Sequence, residues 1–464
     1  GYGDLLKEGR KHGILYRIWP GTQRVLLWGD PATAAAYGRT ASFCGSQGVE
    51  ICEPLSFKGR MGSGLPGGRC GYADASLNPK YDWEKFLYTY RIWGRLLYNP
   101  DAEPNSWRRY LRKEFPAATE PVETAIANAS RILPLITTAH DPSASNNSFW
   151  PEMYTNMPVA DGSRKQPYHD SPKPLRFGTV SPLDPQLFST VEEFAKELVS
   201  GEASGKYSPL EVAGWLENFS NGAARNLKRA GANNGAPFRR MAADVAIQSG
   251  LGRFFAGKLR SAVLWAVYQQ TGNAQAREQA LQDYRDARKL WAEMAQGAKG
   301  VYASDITYGR EPQLRGHWLD RLPDIDVDIA ELEKAPPPAA AQPVAFAPGT
   351  MARTPRPSTP AQHTPPSRFR PGAPLEIEFA AFALAQEGRS ARLWYRHVNQ
   401  AEHWRSAGMS RQDNRYRATI AAEYTQSPYP LQYYFELRES PGRAWLYPGF
   451  NADLSNQPYF VVRA

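Results

Sequence analysis

The sequence lacks the features that most directly assign a chain to a class. It has three cysteines, Cys44, Cys52 and Cys70. None of them forms the paired C-x-x-C spacing of a structural zinc site, so no metal is expected. No stretch offers the ~18 uninterrupted apolar residues of a membrane span. The richest, "SGLGRFFAGKLRSAVLWAVY", is broken by Arg253, Lys258 and Arg260, and no membrane partner is expected. Lys and Arg never gather into a long run, so the formal charge of +9, from 55 basic and 46 acidic residues, is spread over the chain. Nucleic acid is therefore not expected as a partner. No G-x-S-x-G elbow, H-E-x-x-H helix or Walker loop is present. The opening "GYGDLLKEGRKHGILYRIW" has neither an initiating Met nor a signal-type apolar core. It reads as a cut edge, from processing or from a longer parent, and a secreted or periplasmic location is the expectation.

Two further spacings fail on their context. Gly62, Gly64 and Gly67 make a G-x-G-x-x-G, but the loop-like "RCGYADASLNPKYDW" follows where a dinucleotide site needs a helix N-terminus. Asp324, Asp326 and Asp328 are spaced like the start of an EF-hand, yet the sixth position is Ile329 and the twelfth Ala335, where calcium needs Gly and Glu. No cofactor is expected.

What the chain does have is length and aromatics. Its 464 residues, 42% of them hydrophobic, suffice for two or three domains with sizeable cores. The 13 Trp and 24 Tyr supply flat apolar faces with polar edges, suited to sugar rings and equally suited to filling cores.

The pattern changes along the chain. Over residues 1–80, "HGILYRIWP" and "GVEICEPLSF" read as strands flanking a helix in "TQRVLLWGDPATAAAYGRTASF" that contains, or is preceded by, a turn at Gly29-Asp30-Pro31. That is the βαβ order of a parallel sheet, here a partial, TIM-barrel-like α/β segment. Residues 81–333 take a 3.6 period and predict an α-helical domain, with helices from about 82, over "PNSWRRYLRKEF", and near 119–138, 184–200, 208–230, 237–271 and 274–298, and an irregular loop at 139–183. In the first helix Trp83, Phe86, Leu87, Tyr90, Gly94 and Leu97 mark one face; in the last, Ala280, Tyr284, Ala287, Trp291 and Met294 do. Residues 334–374 are Pro-rich and predict an extended linker that packs no core. Residues 375–464 carry short apolar strands and turns such as Ser440-Pro441-Gly442, the pattern of a C-terminal all-β sandwich of immunoglobulin or fibronectin-III type.

Candidate chemistry concentrates in two places. Glu50 and Glu53 lie in the second strand; three residues apart, they point to opposite faces with Cα atoms ~10 Å apart, so at most one serves a single glycosidase site. Glu53, beside Pro54 where the strand ends, sits where a parallel barrel places catalysis, and Glu50 suits a supporting ion pair. Arg17, Trp19 and Arg24 surround the end of the first strand and could bind a carboxylated sugar and stack on its ring. The loop "TTAHDPSASNNSFWPEMYTN" gathers His140, Asn147, Trp150, Glu152 and Tyr154, with Glu152 a possible second carboxylate. A loop that merely caps the helices is the alternative.

The phrases "GVEICEPLSFKG", "YDWEKFLYTYRIWGRLLYNPD", "RGHWLDRLPDIDVDI" and "LWYRHVNQAEHW", in this order, resemble large bacterial glycoside-hydrolase-like proteins. In these an α-glucuronidase- or hexosaminidase-like (β/α) barrel precedes a helical domain and a β-sandwich. The resemblance implies a multidomain glycoside hydrolase of carbohydrate metabolism whose N-terminal barrel half lies outside the sequence. Its partner would be a polysaccharide or oligosaccharide, with uronic-acid-containing ones among the candidates, cleaved by carboxylate acid/base catalysis. Two alternatives stay open. One is a polysaccharide lyase using Tyr154 and His140 for proton transfer, with Asn147 or an Arg neutralising a uronate. The other is a non-catalytic glycan-binding protein.

Overall fold

The computed structural model describes residues 13, 15–18, 25–40, 47–51, 71–140, 151–154, 157–160, 176–307, 315–338, 356, 361–381, 389–399, 402–427 and 429–464. Strand β1 (Leu15–Ile18) and strand β2 (Gly48–Ile51) pair in parallel, with helix α1 (Pro31–Thr40) between them in sequence. The register sets Arg17 opposite Glu50.

Of the two readings of the turn at Gly29-Asp30-Pro31, inside the helix or before it, the structure takes the second. Residues 25–30 form a buried, non-helical strap, and α1 starts only at Pro31. Pro31 has no amide to lose and a φ already suited to a first turn. Asp30 caps the start by accepting from the Ala32 amide and the Thr33 hydroxyl.

A helical body follows: α2 (Leu87–Tyr98), α3 (Asn105–Glu114), α4 (Thr119–Ala139), α5 (Val191–Ser200), α6 (Pro209–Arg229), α7 (Ala236–Thr271), α8 (Ala274–Ala298) and α9 (Leu322–Lys334). Thr190 with Glu193, and Ser208 with Glu211, close capping boxes at the starts of α5 and α6. The helix expected from residue 184 therefore begins only at Val191. Helix α7, 36 residues long, contacts α4, α5, α6 and α8, which is why its apolar residues run almost all the way round it.

The predicted stripe of α8 is the buried one: Ala280, Tyr284, Ala287, Trp291 and Met294 all lie in the core. The stripe predicted around α2 is offset. Phe86 is buried as expected, but within α2 the core takes Tyr88, Thr89, Ile92, Trp93 and Leu96. Trp83 is 46% exposed, and Gly94 faces solvent. Aromatic and aliphatic residues occupy both sides of this helix, so periodicity alone does not select the face.

Between α8 and α9, β3 (Ile306–Thr307) and β4 (Arg315–Gly316) form a short antiparallel pair. Beyond the helices come β5 (Ala361–Gln362), β6 (Leu375–Ala381), β7 (Ser390–His397), β8 (Arg405–Gly408), β9 (Ser410–Gln412), β10 (Arg415–Ile420), β11 (Leu431–Ser440), β12 (Arg443–Tyr447) and β13 (Phe460–Val462). They form one sheet of order β5-β6-β10-β9 and a second of order β12-β11-β7-β8, with β13 also on β11. Alternate residues of β6 (Leu375, Ile377, Phe379) and β10 (Tyr416, Ala418, Ile420) meet Leu393, Tyr433, Phe435 and Leu437 of the second sheet in one core. The linker expectation needs correcting here. Phe369 is part of that core, β5 pairs with β6, and Arg356 pairs with Glu211 and binds the Gly205 and Lys206 carbonyls. Apolar Phe369 and the guanidinium of Arg356 find partners that proline content does not anticipate.

The outer face of the second sheet docks on the helical body. Tyr434 and Leu446 belong to the helical core, with Trp394 and Trp404 packed against it. Gln186 donates to the Tyr434 hydroxyl, Tyr459 donates to Asp184, and the Phe450 amide donates to the Tyr207 hydroxyl at 2.7 Å.

Candidate active site

Parallel pairing brings the chain out of β1 at Ile18 and out of β2 at Ile51 on the same edge. In sequence, Trp19 follows the first exit directly and Glu53 comes two residues after the second. Trp19, Arg24 and Glu53, like Asn147 and Trp150, lie outside the described residues. Glu50 is exposed on β2.

The strap between β1 and α1 is where the structure is most explicit. Its backbone groups are bonded by side chains remote in sequence. Glu152 accepts the Val25 amide at 3.0 and 3.1 Å and the Leu26 amide at 2.7 Å. Asp244 accepts the Leu27 amide at 3.0 Å, and Gln248 donates to the Leu27 carbonyl at 3.1 Å. Trp93 donates to the Trp28 carbonyl, and Ser130 accepts the Gly29 amide at 2.8 Å. Arg131 then holds Asp30 through two contacts, 2.8 and 3.0 Å. An extended buried segment outside any sheet must satisfy its backbone in some such way.

Glu152 is thus fully buried. It sits in a short 3-10 turn, Pro151–Met153, and its own carbonyl accepts from Trp318 at 2.7 Å. Within the 139–183 loop Met153, Tyr154, Met157 and Val159 all join the main apolar cluster.

Tyr154 and His140 are buried as well. The Tyr154 hydroxyl accepts from Lys258 at 2.9 Å and from the Met157 amide at 3.1 Å, and burial pushes its ionisation well upward. Lys258 also donates to the Met157 carbonyl at 2.8 Å and lies 3.7 Å from Asp328, itself bonded by Tyr284 at 2.6 Å. His140 stacks on Phe177, with ring centroids 4.0 Å apart, and its Nε2 lies 2.8 Å from the Phe177 carbonyl oxygen. The neutral ring accordingly carries its proton on Nε2. The space beside it measures about 10 Å³, room for a water and not for a sugar.

Burial lowers the His140 pKa to about 4, with the Lys258 charge adding to the shift. The folded value thus lies below the ordinary 6.5 of a free histidine, and the ring is neutral in the fold. Stability from this group is complete above about pH 6.5. It is lost as pH falls toward 4, because there the unfolded chain takes up a proton that the native chain refuses, at up to about 1.4 kcal/mol per pH unit. Chemical-denaturation midpoints between pH 7 and 4 should therefore fall less steeply for His140→Phe than for the wild type. Equal slopes would assign the acid lability elsewhere.

A second charged group beneath the strap carries no sequence motif. Lys85 lies 3.0 Å from Asp244 and 2.7 Å from the Tyr302 hydroxyl, and Tyr302 also donates to Asp244. Tyr72 stacks on Tyr302 at 5.0 Å, with the Lys85 ammonium 5.1 Å from each ring centroid. Burial pushes Asp244 upward; it is also the strongest influence on Lys85 and pushes it down, but the charges of and hydrogen bonds to Asp244 and Tyr72 together outweigh it and the lysine is held above its ordinary value. The available signal was a charged residue at a position of buried helical period, as at Asp244 and Lys258 of α7. The three aspartates of "PDIDVDI" lie on α9, where Asp326 pairs with Arg288 and Asp328 accepts the Val159 amide.

No family model matches the chain, and no curated protein matches it in sequence. Among solved structures it is similar to a GH138 enzyme targeting pectin rhamnogalacturonan II, with a TM-score of 0.55 and 14% identity over 72% of this chain. The matched region is 48% of that enzyme, so the chain spans about half its length. At this identity the likeness is one of fold: the chain shares the fold of a large part of a glycoside hydrolase.

Proposed function

We propose that the chain is part or all of a glycoside hydrolase acting on a polysaccharide or oligosaccharide. The observation that carries the proposal is the likeness in fold to a GH138 enzyme. The parallel β1–β2 pair supports it further, as two strands of a (β/α) barrel of α-glucuronidase or hexosaminidase kind. A pectic, uronic-acid-rich glycan is the first substrate class to try, and a secreted or periplasmic site of action fits such a substrate.

In this reading Glu53, beyond the C-terminal end of β2, is the acid/base or the nucleophile. Its catalytic partner carboxylate stands ~5–5.5 Å away for retention or ~6.5–9.5 Å for inversion. The glycosidic C–O bond breaks, water supplies the hydroxyl to the anomeric carbon, and its proton ends on the leaving-group oxygen. Arg17, Trp19 and Arg24, near the exit of β1, contact the sugar. Glu50 supports the strand. Glu152 acts indirectly, by fixing the strap that begins one residue after Arg24. The lyase reading gains nothing from Tyr154 and His140, whose side chains are buried away from any polymer.

The test is product mass. Incubating the full chain with pectic oligosaccharides should release products heavier by one water per cleavage, and Glu53→Gln should slow release at least about a hundredfold. Undiminished turnover in Glu53→Gln, or products bearing a new double bond, would overturn the proposal.

A further inference from the structure

The outer face of the second sheet is only partly covered by the helical body. At its free end lies a recess of about 320 Å³, lined by Ser390, Arg392, Gly408, Met409, Glu436 and Arg438 among others. Register explains the hollow. Glu436, Arg392 and Gly408 stand side by side across β11, β7 and β8, and the third has no side chain. A Cβ built at Gly408 meets nothing within 4 Å.

The charges are distributed unevenly. Glu436 accepts from Trp394 at 2.9 Å and from Arg438 at 3.0 Å, so this carboxylate is engaged on both oxygens and holds Arg438 in place. Arg392 is exposed and donates to the Ser406 hydroxyl at 3.1 Å; among the described residues no carboxylate pairs with it. Two guanidinium groups against one carboxylate leave the recess with one uncompensated positive charge. A planar donor fork of this kind matches a carboxylate. Ser390, Met409 and the carboxylate of Glu436 line the recess as well, a mix of donor, acceptor and apolar surface suited to a hydroxylated ring. The volume is at the small end for ligand pockets, about right for one sugar unit.

We propose that this recess binds a uronic-acid unit of a polysaccharide, with Arg392 taking the carboxylate, as an accessory site separate from the β1–β2 edge. The proposal rests on the carbohydrate-active reading above. It makes the sheet a substrate anchor as well as a partner for the helices.

The experiment is calorimetric titration of the full chain carrying Glu53→Gln, using short galacturonic-acid oligomers and their carboxyl-reduced, neutral counterparts. The acidic oligomers should bind at least about tenfold more tightly, and Arg392→Ala and Gly408→Leu should each remove that preference with the melting temperature unchanged. If Gly408→Leu fails to fold, Arg392→Ala decides. Equal affinity for acidic and neutral oligomers, or unaltered preference in Arg392→Ala, overturns the proposal. Turnover of pectic oligosaccharides by Arg392→Ala in the otherwise wild-type chain separates the two readings. Lost preference with persisting cleavage upholds the recess as an accessory site, and retained preference for acidic oligomers in a chain that cleaves nothing removes only the hydrolase.

Discussion

Replacing Asp244 by Ala is expected to lower stability by about 3–5 kcal/mol, the largest effect of any single change considered for this protein. Asp244 and Lys85 are 0% and 7% exposed at their side chains, so neither charge has water to fall back on. The alanine variant leaves the ammonium of Lys85 buried without its counter-charge. It also takes an acceptor from the Tyr302 hydroxyl and from the Leu27 amide. For a unit of this size such a loss corresponds to a fall of about 10 °C in melting temperature. Lys85→Met should cost less, because a carboxyl left alone in an apolar site can take up a proton, and its cost should shrink further as pH is lowered. The double variant Lys85→Met, Asp244→Leu should recover most of the loss, since an apolar pair removes both desolvation terms. A coupling energy below about 0.5 kcal/mol in the cycle of Lys85→Met, Asp244→Leu and their double variant would mean the two groups do not act as a pair.

That pair shows where the sequence is legible and where it is not. The stripe of α8 and the capping residues Thr190 and Ser208 are local signals, satisfied within a few residues of where they occur, and the structure uses them as read. The alternation in β6 and β10 is local too. The strap is the opposite case. Val25 to Asp30 looks like the start of a helix because Val25, Leu26, Leu27 and Trp28 are apolar and a helix does follow. Its conformation is set by Glu152, 127 residues away, and by Asp244, 217 residues from Leu27. No periodicity encodes such a bond.

The same long range explains why the linear sequence does not sort acidic residues in apolar surroundings. Glu123, Glu152, Asp244 and Asp328 are all buried, and each is bonded by donors brought from other elements: Trp107 and Arg108 for Glu123, backbone amides for Glu152, Lys85 for Asp244, Tyr284 for Asp328. A carboxylate buried and held by several donors is closed off from a substrate. In the linear sequence it is indistinguishable from one that is not. The parallel pairing of β1 and β2, by contrast, was readable from the strand-helix-strand order, and with it the edge on which Glu53 follows β2.

Glu152 offers the sharpest discrimination between a catalytic carboxylate and one that only positions the chain. Glu152→Ala should cost about 3–4 kcal/mol, because it leaves the Val25 and Leu26 amides buried without an acceptor, at about 1–3 kcal/mol for each unsatisfied donor. Glu152→Gln should cost less, since one carbonyl oxygen remains, but its NH2 group must then face an amide N–H. Both variants should speed hydrogen exchange at Val25 and Leu26 while the amides of α7 stay protected, because the loss falls on the strap and not on the central helix. If the hydrolase proposal holds, turnover should fall in proportion to that local loosening, with Glu152→Ala worse than Glu152→Gln, since Arg24 adjoins the strap. A residue that itself handles the reacting proton would behave in the reverse way. Glu152→Gln would then abolish turnover as completely as Glu152→Ala, with exchange at Val25 and Leu26 and the melting temperature both left as in the wild type, and the positioning role would have to be abandoned.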